Sequence, residues 1–168
     1  MSIIIKRKVI NLLKALKPYI ISILISLGVG GLSAFLTRNN MNIYSEVTMP
    51  PPELPSILFP IVWTVLYILM GIGAAMVYTA PQVPSKKKAA LTVYGISLGV
   101  NFLWNIVFFN LRAFMVAFII LLLLLALIVK TIFSYLKIYP PAAYLQIPYA
   151  LWVIFAGYLN FGIWWLNR

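Results

Sequence analysis

Apolar residues run along this chain in long uncharged blocks, and polar residues collect between them. Five blocks, at about residues 19–36, 56–80, 89–111, 113–135 and 142–166, are nearly free of charge. Each approaches or exceeds the roughly 20 residues that carry an α-helix across a hydrocarbon core. The pattern predicts an all-α integral membrane bundle of five transmembrane helices in one domain, residues 19–168. Breakers separate the blocks. Arg38 with Asn39 and Asn40 ends the first, and residues 39–55 form the longest loop. That loop holds Pro50, Pro51, Pro52 and Pro55, so a stiff extended path is expected. Pro81, Pro84 and Lys86–Lys88 form the next connection. Arg112 marks a very tight turn, and Lys137, Pro140 and Pro141 close the fourth block. Pro60 falls in the first turn or two of its span, where a missing N–H costs little. Pro148 falls inside the fifth span and is expected to bend it.

Residues 1–18 read differently. Ile5, Val9, Leu12, Leu13 and Leu16 recur at helical spacing among Lys6, Lys14 and Lys17. This basic amphipathic segment is expected to lie as a short helix on an anionic leaflet before the first span. It lacks the small-residue cleavage site of a secretory signal.

Composition and charge sharpen this picture. Of 168 residues, 64% are hydrophobic and only 9% charged, against about a quarter in soluble domains. Lipid is therefore the main solvent. Thirteen Lys and Arg face two acids, Glu46 and Glu53. Such a balance raises the question of nucleic acid, but these cations flank apolar runs, so no nucleic-acid partner is expected. Lys6, Arg7, Lys8, Lys14, Lys17, Lys86, Lys87, Lys88, Lys130 and Lys137 fall at one end of the bundle. Arg38, Arg112 and Arg168 fall at the other. The bias predicts a multi-pass protein of the cytoplasmic membrane, with its N-terminus in the cytoplasm and the proline loop and C-terminus outside.

The candidate chemistry is aromatic and amide. Trp63, Tyr67 and Gly71 share a face of the second span. Ser97, Asn101 and Asn105 share one of the third, with Trp104 beside them. Tyr149, Trp152, Ala156 and Asn160 share a face of the fifth. Polar residues inside a membrane are costly and call for a reason. Either they bond helix to helix, or they converge on an apolar pocket with a few hydrogen-bonding groups, suited to a flat ligand. The fourth span reads as lipid-facing filler, and Trp164 and Trp165 as interfacial belt residues. Small residues recur at Ser22, Ser26, Gly30 and Ala34, at Gly71 and Ala75, and at Gly95 and Gly99. They serve close packing within the bundle, or a dimer face on the third span. Neither Cys nor His occurs, and no acid falls within a span. Thiol chemistry, a metal site and a proton relay are accordingly not expected.

Three stretches carry a resemblance. They are Tyr44…Met49-Pro50 with Phe59–Gly71, Asn101–Asn105 with Phe108, Phe109 and Arg112, and Pro148–Ala156 with Leu159-Asn160. In order and spacing they resemble the tryptophan-rich sensory protein family, also called translocator protein or peripheral-type benzodiazepine receptor (TspO/MBR). The resemblance covers residues 19–168. It implies a five-helix bundle, often a homodimer, with a pocket under the first loop. It also implies a tetrapyrrole ligand such as protoporphyrin IX, or a drug-like molecule, with no cofactor required. Trp63, Tyr67, Asn101, Trp104, Asn105, Tyr149, Trp152, Ala156 and Asn160 would line the pocket. Receptor- or transporter-like action follows from the resemblance. So do two alternatives: light-dependent porphyrin breakdown using Trp63 and Trp152, and a non-catalytic sensory or assembly role through a dimer face. The chain departs from the family pattern at Met49, Pro52, Leu54-Pro55 and Ile119-Ile120. The sterol-recognition pattern is also absent, since no Lys or Arg follows Tyr158 within five residues. Haem iron takes His, Cys, Met or Tyr; without His and Cys, a metal-free porphyrin is the expected preference.

Overall fold

The computed structural model describes residues 3–52 and 54–168. The side chains of residues 3–7, 9 and 11 are outside the described residues, so the expected roles of Ile5, Lys6, Arg7 and Val9 fall there too, as does Glu53. Every described element is helical. Helix α1 is Ile3–Thr37, followed by a tight 3-10 turn at Arg38–Asn40 and the short α2, Ile43–Glu46. Helices α3 (Leu58–Thr79), α4 (Pro84–Asn105) and α5 (Phe114–Leu136) come next. Helices α6 (Pro140–Tyr144) and α7 (Ile147–Leu166) complete the chain. Five segments are long and apolar enough to cross a membrane, as the blocks predict.

Two elements differ from expectation. The fifth span is not one bent helix. Pro148 sits in the first turn of α7, where its missing N–H is an orphan anyway, and the chain breaks at Leu145-Gln146 instead. Pro140 likewise starts α6 rather than merely ending α5. Helix α1 runs unbroken through Pro18 for 35 residues, about 52 Å at 1.5 Å per residue. The backbone therefore shows no break between the basic segment and the first span.

The third span ends in a wide π-helical turn, Ile106–Asn110, that swings Phe108 and Phe109 into the core. Arg112 then turns the chain with φ 53°, a left-handed conformation unusual for a side chain of its size. Its guanidinium is held by Glu46 at 2.7 Å.

The helices close a ring: α1 packs on α3 and α4, α4 on α5, α5 on α6 and α7, and α3 on α6. Small residues set the first of these contacts, α1 on α3, at two points. A Cβ on Gly71 would lie 2.6 Å from the Ile23 Cα, and one on Gly30 would enter the Tyr67 ring. Gly95 and Gly99 behave otherwise: a Cβ on either would meet nothing within 4 Å, so both lie open on the outside of α4. Helix α5 is not filler. Ala117, Leu121, Leu124, Ile128, Thr131 and Tyr135 form a fully buried stripe at alternating spacings of four and three, wedged between α4 and α7. A helix that is apolar all round gives no polar face from which to read that stripe.

Candidate functional site

At the end of the bundle that carries the proline loop, aromatic side chains from four helices and the π-helical turn meet. Tyr44 of α2 stacks on Phe59 with ring centroids 4.8 Å apart, and Phe59 meets Trp152 edge-on at 5.9 Å. Trp63 lies 5.7 Å from Tyr67, 5.9 Å from Trp104 and 6.1 Å from Tyr149. Trp104 continues to Phe108 at 5.6 Å. The loop is pinned over this cluster. Besides Glu46–Arg112, the Thr48 N–H donates to Asn167 Oδ1 at 2.9 Å, and Asn167 Nδ2 donates to the Thr48 carbonyl at 3.0 Å. The Tyr158 hydroxyl donates to the Pro51 carbonyl, and Pro50 seats on Gly162, where a Cβ would come within 2.5 Å of it.

Beneath the loop, a cleft of about 490 Å³ opens between α1 and α3. Leu27, Gly30, Gly31, Ser33, Ala34 and Thr37 form one wall. Tyr44, Phe59, Trp63 and Tyr67 form the other, with Trp104, Asn105 and Phe109 at the back. Deeper, between α3, α4 and α7, the same Tyr44, Phe59, Trp63 and Trp104 meet Trp152, Ala156 and Asn160 around only about 10 Å³ of space. The aromatic groups thus close the inner space and leave the α1 side open.

The candidate residues divide accordingly. Trp63, Tyr67, Trp104 and Asn105 line the open cleft. Trp152, Ala156 and Asn160 border the inner space, again with Trp63 and Trp104. Asn101 and Tyr149 line neither and are fully buried. The three stripes do converge, and much of their polar capacity is spent between helices. Asn101 Nδ2 donates to the Tyr67 hydroxyl at 3.0 Å, and Trp104 Nε1 to Asn160 Oδ1 at 3.2 Å. Asn160 Nδ2 donates to the Phe114 carbonyl at 2.8 Å, while Asn105 Nδ2 stays within α4, donating to the Asn101 carbonyl at 3.0 Å. Among the described residues, the buried Ser33 Oγ, Tyr149 hydroxyl and Trp152 Nε1 find no hydrogen-bond partner. An unpaired polar group in a dry interior is costly; Ser33 borders the cleft and Trp152 the inner space, whereas Tyr149 reaches neither.

Sequence reasoning left α1 out of the site. Its small-residue row was legible, but a row of small residues signals packing equally well. Here Gly30 takes the Tyr67 ring, while the exposed Gly31 and Ala34 and the buried Ser33 line the cleft. Tyr44, Phe59 and Phe109 also stand in the site, and the quoted motifs contained all three.

Comparison with known proteins gives the chain's relatives. The sequence model described as TspO/MBR family matches residues 22–166. The chain is 32% identical to the tryptophan-rich protein TspO of Chlorobaculum tepidum, over 88% of this chain and 92% of that one. It is 34% identical to the translocator protein of Bos taurus, over 88% of each. It is also 34% identical to the tryptophan-rich protein TspO of Archaeoglobus fulgidus, over 87% of this chain and 94% of that one.

Proposed function

This chain belongs to the TspO/MBR family, and on that premise we propose that it is a membrane receptor or transporter-like protein for a flat apolar ligand of the protoporphyrin IX class. The observation that carries the reading is the cleft itself. Its volume lies within the range of small-molecule sites, its walls are aromatic, and the buried Ser33 hydroxyl in its lining has no partner. Aromatic faces stack on a planar macrocycle, and a sparse polar group orients it. A metal-free ring is preferred to haem, because no His or Cys exists and the cleft lining offers iron only Met41, Tyr44 and Tyr67, the last already engaged by Asn101. Haem binding at equal affinity with an axial-ligand spectral shift would count against that preference.

Tryptophan-to-phenylalanine substitution tests the reading. In the dark, Trp63→Phe is expected to weaken protoporphyrin IX binding several-fold, because Trp63 borders both the cleft and the inner space. Trp152→Phe is expected to weaken it only if the ligand opens the inner space. Titration of both variants in nanodiscs, read by ligand fluorescence, checks this. Unchanged affinity in both would remove the site from this cluster.

A second reading draws on the ring contacts of Trp63 with Tyr67, Trp104 and Tyr149. In it, bound porphyrin is lost in light, with oxygen as oxidant and an indole as redox partner. The expected result is light- and oxygen-dependent bleaching that disappears in Trp63→Phe or Trp152→Phe. Bleaching that persists unchanged in both is ordinary photochemistry.

The protein acts in the cytoplasmic membrane with its lysine-rich end inside, on the charge bias along the chain. A cysteine placed at the half-buried Asn40 (Asn40→Cys), beside the proline loop, should react with an impermeant thiol reagent on intact cells; reaction only after lysis would reverse the orientation. A second copy of the chain packs against α4, where Gly95 and Gly99 lie open. Gly99→Leu should then convert a dimer to a monomer in crosslinking; an unchanged dimer would place the contact elsewhere.

A further inference from the structure

The lysine-rich end has a charge imbalance that the chain cannot neutralise. The two acids of the sequence, Glu46 and Glu53, both fall within residues 39–55, and none falls in the stretch 76–92 that forms this end. At this end a groove of about 660 Å³ lies between the end of α3 and the start of α4, lined by Tyr78, Pro84, Lys87, Lys88, Leu91 and Thr92. Its chemistry is split. Lys87 and Lys88 stand at one end, and Leu91 and the exposed Tyr78 ring supply apolar surface beside them.

Lys87 is not a loose surface lysine. Its ammonium donates to the Tyr78 carbonyl at 2.9 Å and the Ala80 carbonyl at 3.1 Å, which fixes it over the end of α3. An ammonium has three protons, so one remains for an external acceptor. Lys86, Lys87 and Lys88 also occupy the first turns of α4, with no acid there. Three cations at the positive end of a helix dipole are unfavourable unless an anion joins them. Solubility does not require this arrangement, since the flank sits at the bilayer surface.

We propose that this groove is a binding site for one anionic phospholipid, its phosphate on Lys87 and Lys88 and its acyl chain along Leu91 and Tyr78. Charge complementarity selects an anionic over a zwitterionic headgroup. The split lining selects a lipid over a free anion, since inorganic phosphate would leave the apolar half unused. The site is separate from the cleft under the proline loop and does not rest on the ligand reading given for that cleft.

The chain has no cysteine, so a single label can be placed at will. Thr92→Cys, exposed in the groove, would carry a fluorophore in the full chain in phosphatidylcholine nanodiscs. The discs are doped with either phosphatidylglycerol or phosphatidylcholine bearing a nitroxide high on the acyl chain. Half-quenching by the phosphatidylglycerol probe is expected at about a thirtyfold lower mole fraction, as two lysines near the surface supply. The preference should vanish in Lys87→Gln/Lys88→Gln, fall partly in Lys88→Gln alone, and survive in Lys87→Arg. A label at the exposed Val116→Cys position, at the other end of the bundle, should show no preference. Equal quenching by both lipids overturns the proposal, as does a preference that persists in the double variant or appears equally at Val116. Lys88→Gln, whose side chain caps no carbonyl in the structure, keeps the test valid should loss of Lys87 disturb the fold.

Discussion

Gly71→Leu is expected to lose most of its folded population in mild detergent, under conditions where the parent chain stays monodisperse. Helices α1 and α3 pass so closely at this point that a Cβ on Gly71 would meet the Ile23 backbone at 2.6 Å, and the Ile23 amide nitrogen at 2.9 Å. Backbone cannot rotate away as a side chain can, so the two helices must separate. Separation frees the packing of Tyr67 against Gly30 and, with it, the bond from Asn101 to the Tyr67 hydroxyl. Overpacking costs about 1–3 kcal/mol where a core can adjust, and more where backbone is the obstacle. Close backbone approach is also the main source of helix association in lipid, because no hydrophobic force acts between helices there. A thermal midpoint read by size-exclusion of heated samples measures the effect. Gly28→Leu is the control, since a Cβ there meets nothing within 4 Å and the midpoint should hold. Equal midpoints for Gly71→Leu and the parent would mean that α1 and α3 do not meet at this glycine.

Gly31→Trp should do the reverse: abolish ligand binding and leave the fold intact. Gly31 neighbours Gly30 in sequence, yet the helix turns their α-carbons to different surroundings. Gly30 faces the Tyr67 ring, whereas a Cβ on Gly31 meets no atom within 4 Å, and Gly31 lines the cleft. An indole added there takes up much of the space opposite Trp63 without moving a helix. Glycine is a poor helix former, so the substitution also gains about half a kcal/mol or more in helix propensity. Protoporphyrin IX affinity in the dark is expected to fall more than tenfold with the thermal midpoint unchanged or higher. Retained affinity would move the ligand out of the α1–α3 cleft. A lower midpoint would show that the cleft closes on itself in the membrane.

The contrast between these glycines shows what the amino-acid order can and cannot reveal. The five spans were legible because bilayer thickness sets their length and charge marks their ends. The stripes on α3, α4 and α7 were legible because amides and indoles in lipid must turn inward, and they do meet, through Tyr67–Asn101 and Trp104–Asn160. Which stripe faces a cavity and which a neighbouring helix was not legible, because both satisfy the same polar atoms. Asn101 and Trp104 bond across helices, yet the Trp152 Nε1 beside them goes unpaired. The buried face of α5 left no trace, since all its faces are apolar. The pinning of the loop joins Thr48 to Asn167 and Pro51 to Tyr158, pairs more than a hundred residues apart that no local pattern links. The break before α7 was hidden for a different reason. A proline in an apolar run bends a helix or starts one, and only the position of the preceding turn separates the two outcomes.

The central claim is that the cleft under the proline loop takes a flat tetrapyrrole, and a binding isotherm tests it most directly. Purified chain in nanodiscs is titrated in the dark with protoporphyrin IX, following quenching of tryptophan fluorescence beside protein-free discs. A saturable isotherm at micromolar or tighter affinity, with one porphyrin per chain and its amplitude reduced in Trp63→Phe, is the predicted result. Linear quenching that matches partition into the lipid, and that is equal in parent and variant, would contradict the claim.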